Sequence, residues 1–218
     1  MIAQQLTSAI VSGSVLPGDC VLYRYSRPGP IQRMIARTQR RALADLGADA
    51  PADAHLFTHA GMVFDCWLSV EMTSPRARLI PWTRRMEGVA EIRIVRPAAD
   101  QSPALLRQAA VEGYEDVFRR IRYPHREILL YWAWSWGWQK LHGKTPFYTV
   151  FRSRERNVCS GSVVDWWTRA GLALGLAGLD TWPEAWYPAR LLADCLQPAP
   201  HFQIVAHDAP KPTQEIAP

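Results

Sequence analysis

The sequence predicts an α+β fold in which a small antiparallel sheet packs against helices, and three observations predict it. Short segments rich in β-branched and aromatic residues crowd between residues 20 and 95, separated by turn signals. Longer stretches with helical periodicity follow, one of them opened by Ser102-Pro103. No internal repeat and no Gly/Ser-rich linker divides the chain, so residues 1–208 are read as one domain and 209–218 as a disordered tail.

Taken in order, Leu16-Pro17-Gly18-Asp19 is a turn signal, and Cys20 to Tyr25 after it has strand composition. From Ile31 to Leu43, apolar Ile31, Met34, Ile35 and Ala42 recur at helical spacing among Arg33, Arg37, Arg40 and Arg41, which predicts a helix with one basic, wet face. Ala44 to Ala54 reads as a loop. Leu56 to Phe64 and Leu68 to Met72 read as strands joined by a turn at Asp65-Cys66-Trp67, with further strands at Arg76 to Pro81 and Val89 to Val95. Ser102 caps a helix whose face is marked by Leu106, Ala110, Tyr114, Val117 and Ile121 and which ends before Tyr123-Pro124. A second helix is expected over Glu127 to Leu141. A third, capped by Asn157, is expected from about Val158 to Leu174, with Val163, Val164, Trp167, Ala170 and Gly171 as its buried stripe.

The 218 residues carry 25 Lys+Arg against 20 Asp+Glu, a formal charge of +5 that favours acidic partners without selecting one. A chain of this length buries roughly 70% of its unfolded surface, so it needs no disulfide scaffold. Its four cysteines, Cys20, Cys66, Cys159 and Cys195, form no Cys-x-x-Cys pair, which removes zinc-ribbon and thioredoxin-like readings. The first basic residue is Arg24, so no charged leader opens the chain, and synthesis in the cytoplasm without a signal peptide is expected. The longest apolar runs, Ile128 to Trp138 and Ala170 to Leu179, fall short of the ~20 residues of a membrane-crossing helix.

Among residues able to carry chemistry, Cys159 is placed in the first turn of a helix. There, unpaired N–H groups and the positive dipole end favour thiolate over thiol. The bland alternative is a small apolar filler, the common role of a free cysteine. A thiolate nucleophile wants an imidazole, and the imidazole wants a third group to orient it. His59 lies in one strand and Glu71 in the next; a turn near Cys66 brings Glu71 opposite Ala60 or His59, within cross-strand reach.

Thr58-His59-Ala60-Gly61-Met62-Val63 on a strand, Val70-Glu71 on the following one, Val158-Cys159-Ser160 opening a late helix, and the Leu16 to Asp19 turn together resemble the circularly permuted papain-like amidases of the NlpC superfamily. The order histidine, polar residue, cysteine carries the resemblance, which covers about Leu16 to Leu174. It implies a permuted papain-like fold with the cysteine at a helix N-terminus and a Cys-His-polar triad. Cys159 is then nucleophile, His59 base and Glu71 orienting group, and backbone N–H groups of Cys159 or Ser160 hold the oxyanion. Where such relatives often carry an acidic residue and then Leu after Cys-Ser, this chain carries Gly161-Ser162.

The activity implied is that of a bacterial cysteine amidase or endopeptidase acting on peptide or peptidoglycan stem peptides, reached by release or delivery to the cell wall. A lipid-directed thiol acyltransferase or thioesterase is the alternative within enzymes, and a binding module with a packed Cys159 the alternative outside them. No cofactor and no metal is expected: His55 and His59 lie too far apart along a strand to chelate one ion with Cys66. The segment Tyr131 to Trp138 holds four of the ten tryptophans and reads as core, with an aromatic wall or a membrane-interface contact as the alternative. The arginine stripe at 33–41 reads as a solvated face, so nucleic acid is not an expected partner, whereas an inhibitor protein and peripheral membrane contact are left open.

Overall fold

The computed structural model describes residues 2–46, 50–99, 102–123, 159–176 and 188–208, together with residues 137 and 141. It is an α+β arrangement built on a six-stranded antiparallel sheet. The strands are β1 (Cys20–Tyr25), β2 (Phe57–Val63), β3 (Leu68–Met72), β4 (Ala77–Pro81), β5 (Val89–Pro97) and β6 (Phe202–Asp208), in the order β4-β3-β2-β1-β5-β6. The helices are α1 (Ile2–Val11), α2 (Pro30–Leu46), α3 (Trp82–Arg85), α4 (Pro103–Phe118), α5 (Cys159–Arg169) and α6 (Pro188–Asp194).

The alternation along β1 explains its central place. Cys20 and Leu22 enter a core shared with Leu106, Val163, Trp166, Trp167 and Leu191, while Val21 and Tyr23 enter a second core with Leu6, Trp82 and Ile92. A strand buried on both faces needs an unbroken apolar run, and each fully buried Val or Leu contributes about 1.5–3 kcal/mol. Helix α1, which the sequence reading passed over, closes the second core with Ile2 and Leu6.

The Leu16 to Asp19 turn ties the helices to the sheet. Gly18 takes φ +96°, and a Cβ there would overlap the Leu106 carbonyl of α4, so the close approach requires glycine. Its carbonyl accepts the Trp167 indole N–H of α5 at 2.7 Å. Asp19, fully buried, accepts from Arg96 Nε and Nη2 at 2.7 Å each and from the Leu16 N–H at 2.8 Å.

Several expectations need correction. In α2, Ile31 is 61% exposed and Met34 is also exposed; burial falls on Gln39, Ala42 and Leu43, because Gln39 anchors the helix by donating to the His55 and Phe57 carbonyls. The helix also runs on to Leu46, into the expected loop. Helix α4 ends at Phe118 rather than near Tyr123, with Arg120 at φ 57°. Its buried face is Leu106, Ala109, Ala110, Gly113 and Asp116, with Tyr114 exposed. Small residues decide that face: a Cβ on Gly113 would come within 3.2 Å of the Trp166 ring and 2.9 Å of Val70 Cγ1. Asp116 is tolerated there because it accepts from Trp166 Nε1 and Arg169 Nη2. Helix α5 stops at Arg169 instead of Leu174, since Gly171 adopts φ +83° as a C-terminal break and is itself exposed. β6 and α6 carried too little periodicity to be anticipated. The Glu127 to Leu141 helix, the Tyr131 to Trp138 segment, the Asn157 cap with Val158, and the tail 209–218 lie outside the described residues, apart from residues 137 and 141. Among the described residues no helix is long and apolar enough to cross a membrane.

Candidate active site

The site assembles from the two central strands, the next strand outward and the start of α5. His59 pairs with Tyr23 across β1 and β2, and the two rings stack at 5.6 Å. The ring is thereby fixed on one face. Its Nε2 lies 2.7 Å from Glu71 Oε2.

The register differs from the expected one. Met62 pairs with Val70 and Val63 with Ser69, and continuing that ladder sets Glu71 opposite Gly61, not Ala60 or His59. The contact survives because Gly61 has no side chain. A Cβ at Gly61 would lie 2.6 Å from Glu71 Cγ, so the carboxylate side chain crosses the strand over the glycine to reach the imidazole.

Glu71 is fully buried and its oxygens are saturated. Oε1 accepts from Tyr23 Oη at 3.1 Å, Ser69 Oγ at 2.7 Å and Arg85 Nε at 2.7 Å, while Oε2 receives His59 Nε2 and Arg85 Nη2. Burial alone would raise this carboxyl, but the His59 and Arg85 charges and the Ser69 hydroxyl outweigh it and hold Glu71 below the usual carboxylate range. Arg85 also donates to Tyr25 Oη at 3.2 Å and sits over the Tyr23 ring. Burial and the Glu71 charge push the Tyr23 phenol well up, so it stays a donor.

Cys159 opens α5 and is 8% exposed. The His59 imidazole, followed by the Ala60 and Ser160 N–H groups, favours the charged form of the Cys159 sulfur against burial. Burial opposes charge on both partners, yet their mutual attraction prevails. The Cys159 thiol is lowered below its ordinary value and the His59 imidazole is raised well above its own, each favouring the charged form of the other. The other buried thiol behaves oppositely: burial and nearby negative groups push Cys20 well up, and Cys195 is raised to about 12.

The three residues singled out in the sequence, Cys159, His59 and Glu71, therefore meet. The Ser160 N–H, expected at an oxyanion, favours the charged form of the Cys159 sulfur. Reading the sequence alone missed Arg85, Ser69 and Gly61 and gave Tyr23 no role. Gly61 and Ser69 stand two residues from His59 and Glu71, a spacing that shares a strand face and is a usable signal; Arg85 reaches in from α3 with no local motif. Two buried hydroxyls beside the pair, Thr58 Oγ1 and Ser160 Oγ, lack a hydrogen-bond partner among the described residues. The described residues contain no group of three or more His, Cys, Asp or Glu arranged to hold a metal. No family model matches the sequence, and no curated protein matches it.

Proposed function

We propose that this chain is a cysteine amidase or endopeptidase of permuted papain-like type, working through Cys159, His59 and Glu71. One observation carries the reading: a single imidazole sits between a saturated, ionised carboxylate 2.7 Å from Nε2 and a thiol whose proton affinity it lowers. A merely packed cysteine calls for neither partner, as Cys20 illustrates.

In this reading the Cys159 thiolate attacks a carbonyl carbon, forming a C–S bond and a tetrahedral oxyanion. The Ala60 and Ser160 N–H groups favour the charged sulfur in the resting state, and that charge departs as the C–S bond forms. Backbone N–H groups at the start of α5 are available to the new oxyanion. Imidazolium His59 gives its proton to the leaving amine as the C–N bond breaks; the neutral ring then takes a proton from the water that attacks the thioester, and cleavage of the C–S bond expels the Cys159 thiolate beside the re-formed imidazolium. Glu71, locked by Arg85, Ser69 and Tyr23, holds the ring through Nε2 and leaves its other nitrogen to carry the proton. Peptidoglycan stem peptides are the substrate class that the motif resemblance favours.

The test is a Cys159→Ala, His59→Ala and Glu71→Ala series on one substrate. Purified protein is incubated with peptidoglycan sacculi and, in parallel, with acylated lipids, and fragments are read by mass spectrometry. The first two variants are expected to lose nearly all turnover, about 10⁴-fold or more, and the third less, because a group acting through another contributes less than nucleophile or base. Equal turnover in all four proteins would remove the triad. Product from the lipids alone would move the substrate class to acyl lipids.

A further inference from the structure

A groove of about 570 Å³ runs between the edge strand β4 and the C-terminal end of α4, lined by Arg76, Ala77, Arg78, Leu79, Val117 and Arg120. Its frame is fixed by the backbone. Arg76 and Arg122 pair in an antiparallel bridge, the Ala77 N–H donates to the Ile121 carbonyl at 3.0 Å, and the Tyr123 N–H donates to the Pro75 carbonyl at 2.9 Å. Arg120 is held between α4 and this bridge with φ 57°. The fold thus gathers guanidinium groups that repel one another.

Elsewhere arginines are matched to carboxylates: Arg85 to Glu71, Arg93 to Asp53, Arg96 to Asp19, Arg169 to Asp116. Among the described residues Arg76, Arg78, Arg120 and Arg122 have no such partner, and the acids of the neighbouring helix are committed, Glu115 to Arg119 and Glu112 to Arg169. A charged edge strand also guards against edge-to-edge pairing, but that role is served by Arg76 and Arg78 and does not call for Arg120 and Arg122 from another segment. Three lining cations exceed what one carboxylate neutralises and suit a dianion, which the planar guanidinium fork binds bidentately. Leu79 and Val117 add an apolar wall, and Phe118 beside them is 82% exposed.

We propose that this groove binds the phosphate group of a phosphorylated organic ligand, with Arg76, Arg78 and Arg120 as donors and Arg122 at its rim. The site is independent of the thiol chemistry proposed above. A soluble phosphate ester and a phospholipid headgroup share this chemistry, and the experiment separates them.

Full-length protein is titrated calorimetrically with inorganic pyrophosphate at low salt, as wild type, as Arg78→Gln/Arg120→Gln, as Arg78→Lys/Arg120→Lys and as Arg119→Gln, with thermal unfolding recorded for each. Saturable binding is expected in the wild type and in Arg119→Gln, weaker by about tenfold or more in the Gln pair and intermediate in the Lys pair, which keeps charge but loses the fork. Absence of saturable binding to wild type, or equal affinity in a folded Gln pair, would overturn the assignment. Flotation with phosphatidylcholine vesicles, with and without phosphatidate, then names the source. Phosphatidate-dependent capture competed by pyrophosphate supports a headgroup, and pyrophosphate binding without capture supports a soluble ester.

Discussion

Two buried carboxylates, each gripped by one arginine through both of its oxygens, sit on neighbouring parts of the sheet and do different work. Asp19 takes Arg96 and the Leu16 N–H; Glu71 takes Arg85 and, in addition, His59, Ser69 and Tyr23. For Asp19, burial outweighs Arg96 and the turn N–H, and the carboxyl is raised above its ordinary value of 3.8. For Glu71, the second cation and the Ser69 hydroxyl reverse the balance, and it falls below 4.5. One arginine holds a turn in place; an arginine plus an imidazole keeps a carboxylate ionised beside the His59 ring. The difference lies in the extra partners, not in burial, which is complete for both.

The largest effects come from removing these charges. Asp19→Asn and Glu71→Gln each leave a partly buried arginine without its anion, and each is expected to cost about 3–5 kcal/mol in urea unfolding at pH 7. They part on acidification. Glu71, with a depressed folded value, contributes stability that is present above pH 4.5 and lost as pH falls through that folded value, so wild type and Glu71→Gln converge in acid. Asp19, with a raised value, takes up its proton more readily folded than unfolded, so wild type gains on Asp19→Asn as pH drops toward 3.8. Parallel curves for both pairs would erase the distinction. Slowed alkylation of Cys159 is expected for Glu71→Gln alone.

Gly61→Ala is a middle-sized test of the same contrast. The added methyl meets Glu71 Cγ at 2.6 Å and displaces the carboxylate from His59, with about 1–3 kcal/mol of destabilisation and about tenfold or more slower thiol alkylation. An unchanged alkylation rate would show that the Glu71 path over the glycine is dispensable. The smallest effect is expected for Ser160→Ala. Removing a buried hydroxyl without a partner leaves melting and alkylation within about 1 kcal/mol of wild type, or raises stability.

The sequence disclosed what local chemistry writes into neighbouring residues. β1 and β3 follow from their β-branched and aromatic content, the Asp65 turn from a side chain that accepts the Trp67 and Leu68 N–H groups, and the α4 start from Ser102. Cys159, His59 and Glu71 were legible because each type has few alternatives in its place. The register between β2 and β3 was misread, since a loop between strands leaves the pairing free by a residue or two, and here Gly61 decides it. Arg85 was illegible because it reaches Glu71 from α3, a four-residue helix with no motif. The α4 face was misjudged for a related reason: close approach selects Gly113 over the bulkier Tyr114, and periodicity alone does not weigh backbone distance.

The central claim is that His59 turns Cys159 into a thiolate that its burial would otherwise forbid. The rate of Cys159 alkylation by iodoacetamide, measured against pH by peptide mass spectrometry in wild type and in His59→Ala, tests it most directly, with Cys20 in the same protein as the internal reference. The account predicts that the wild-type Cys159 inflection lies below its ordinary 9.0, and that His59→Ala moves it above that value while Cys20 stays unreactive in both. Superimposable Cys159 profiles in the two proteins would contradict it.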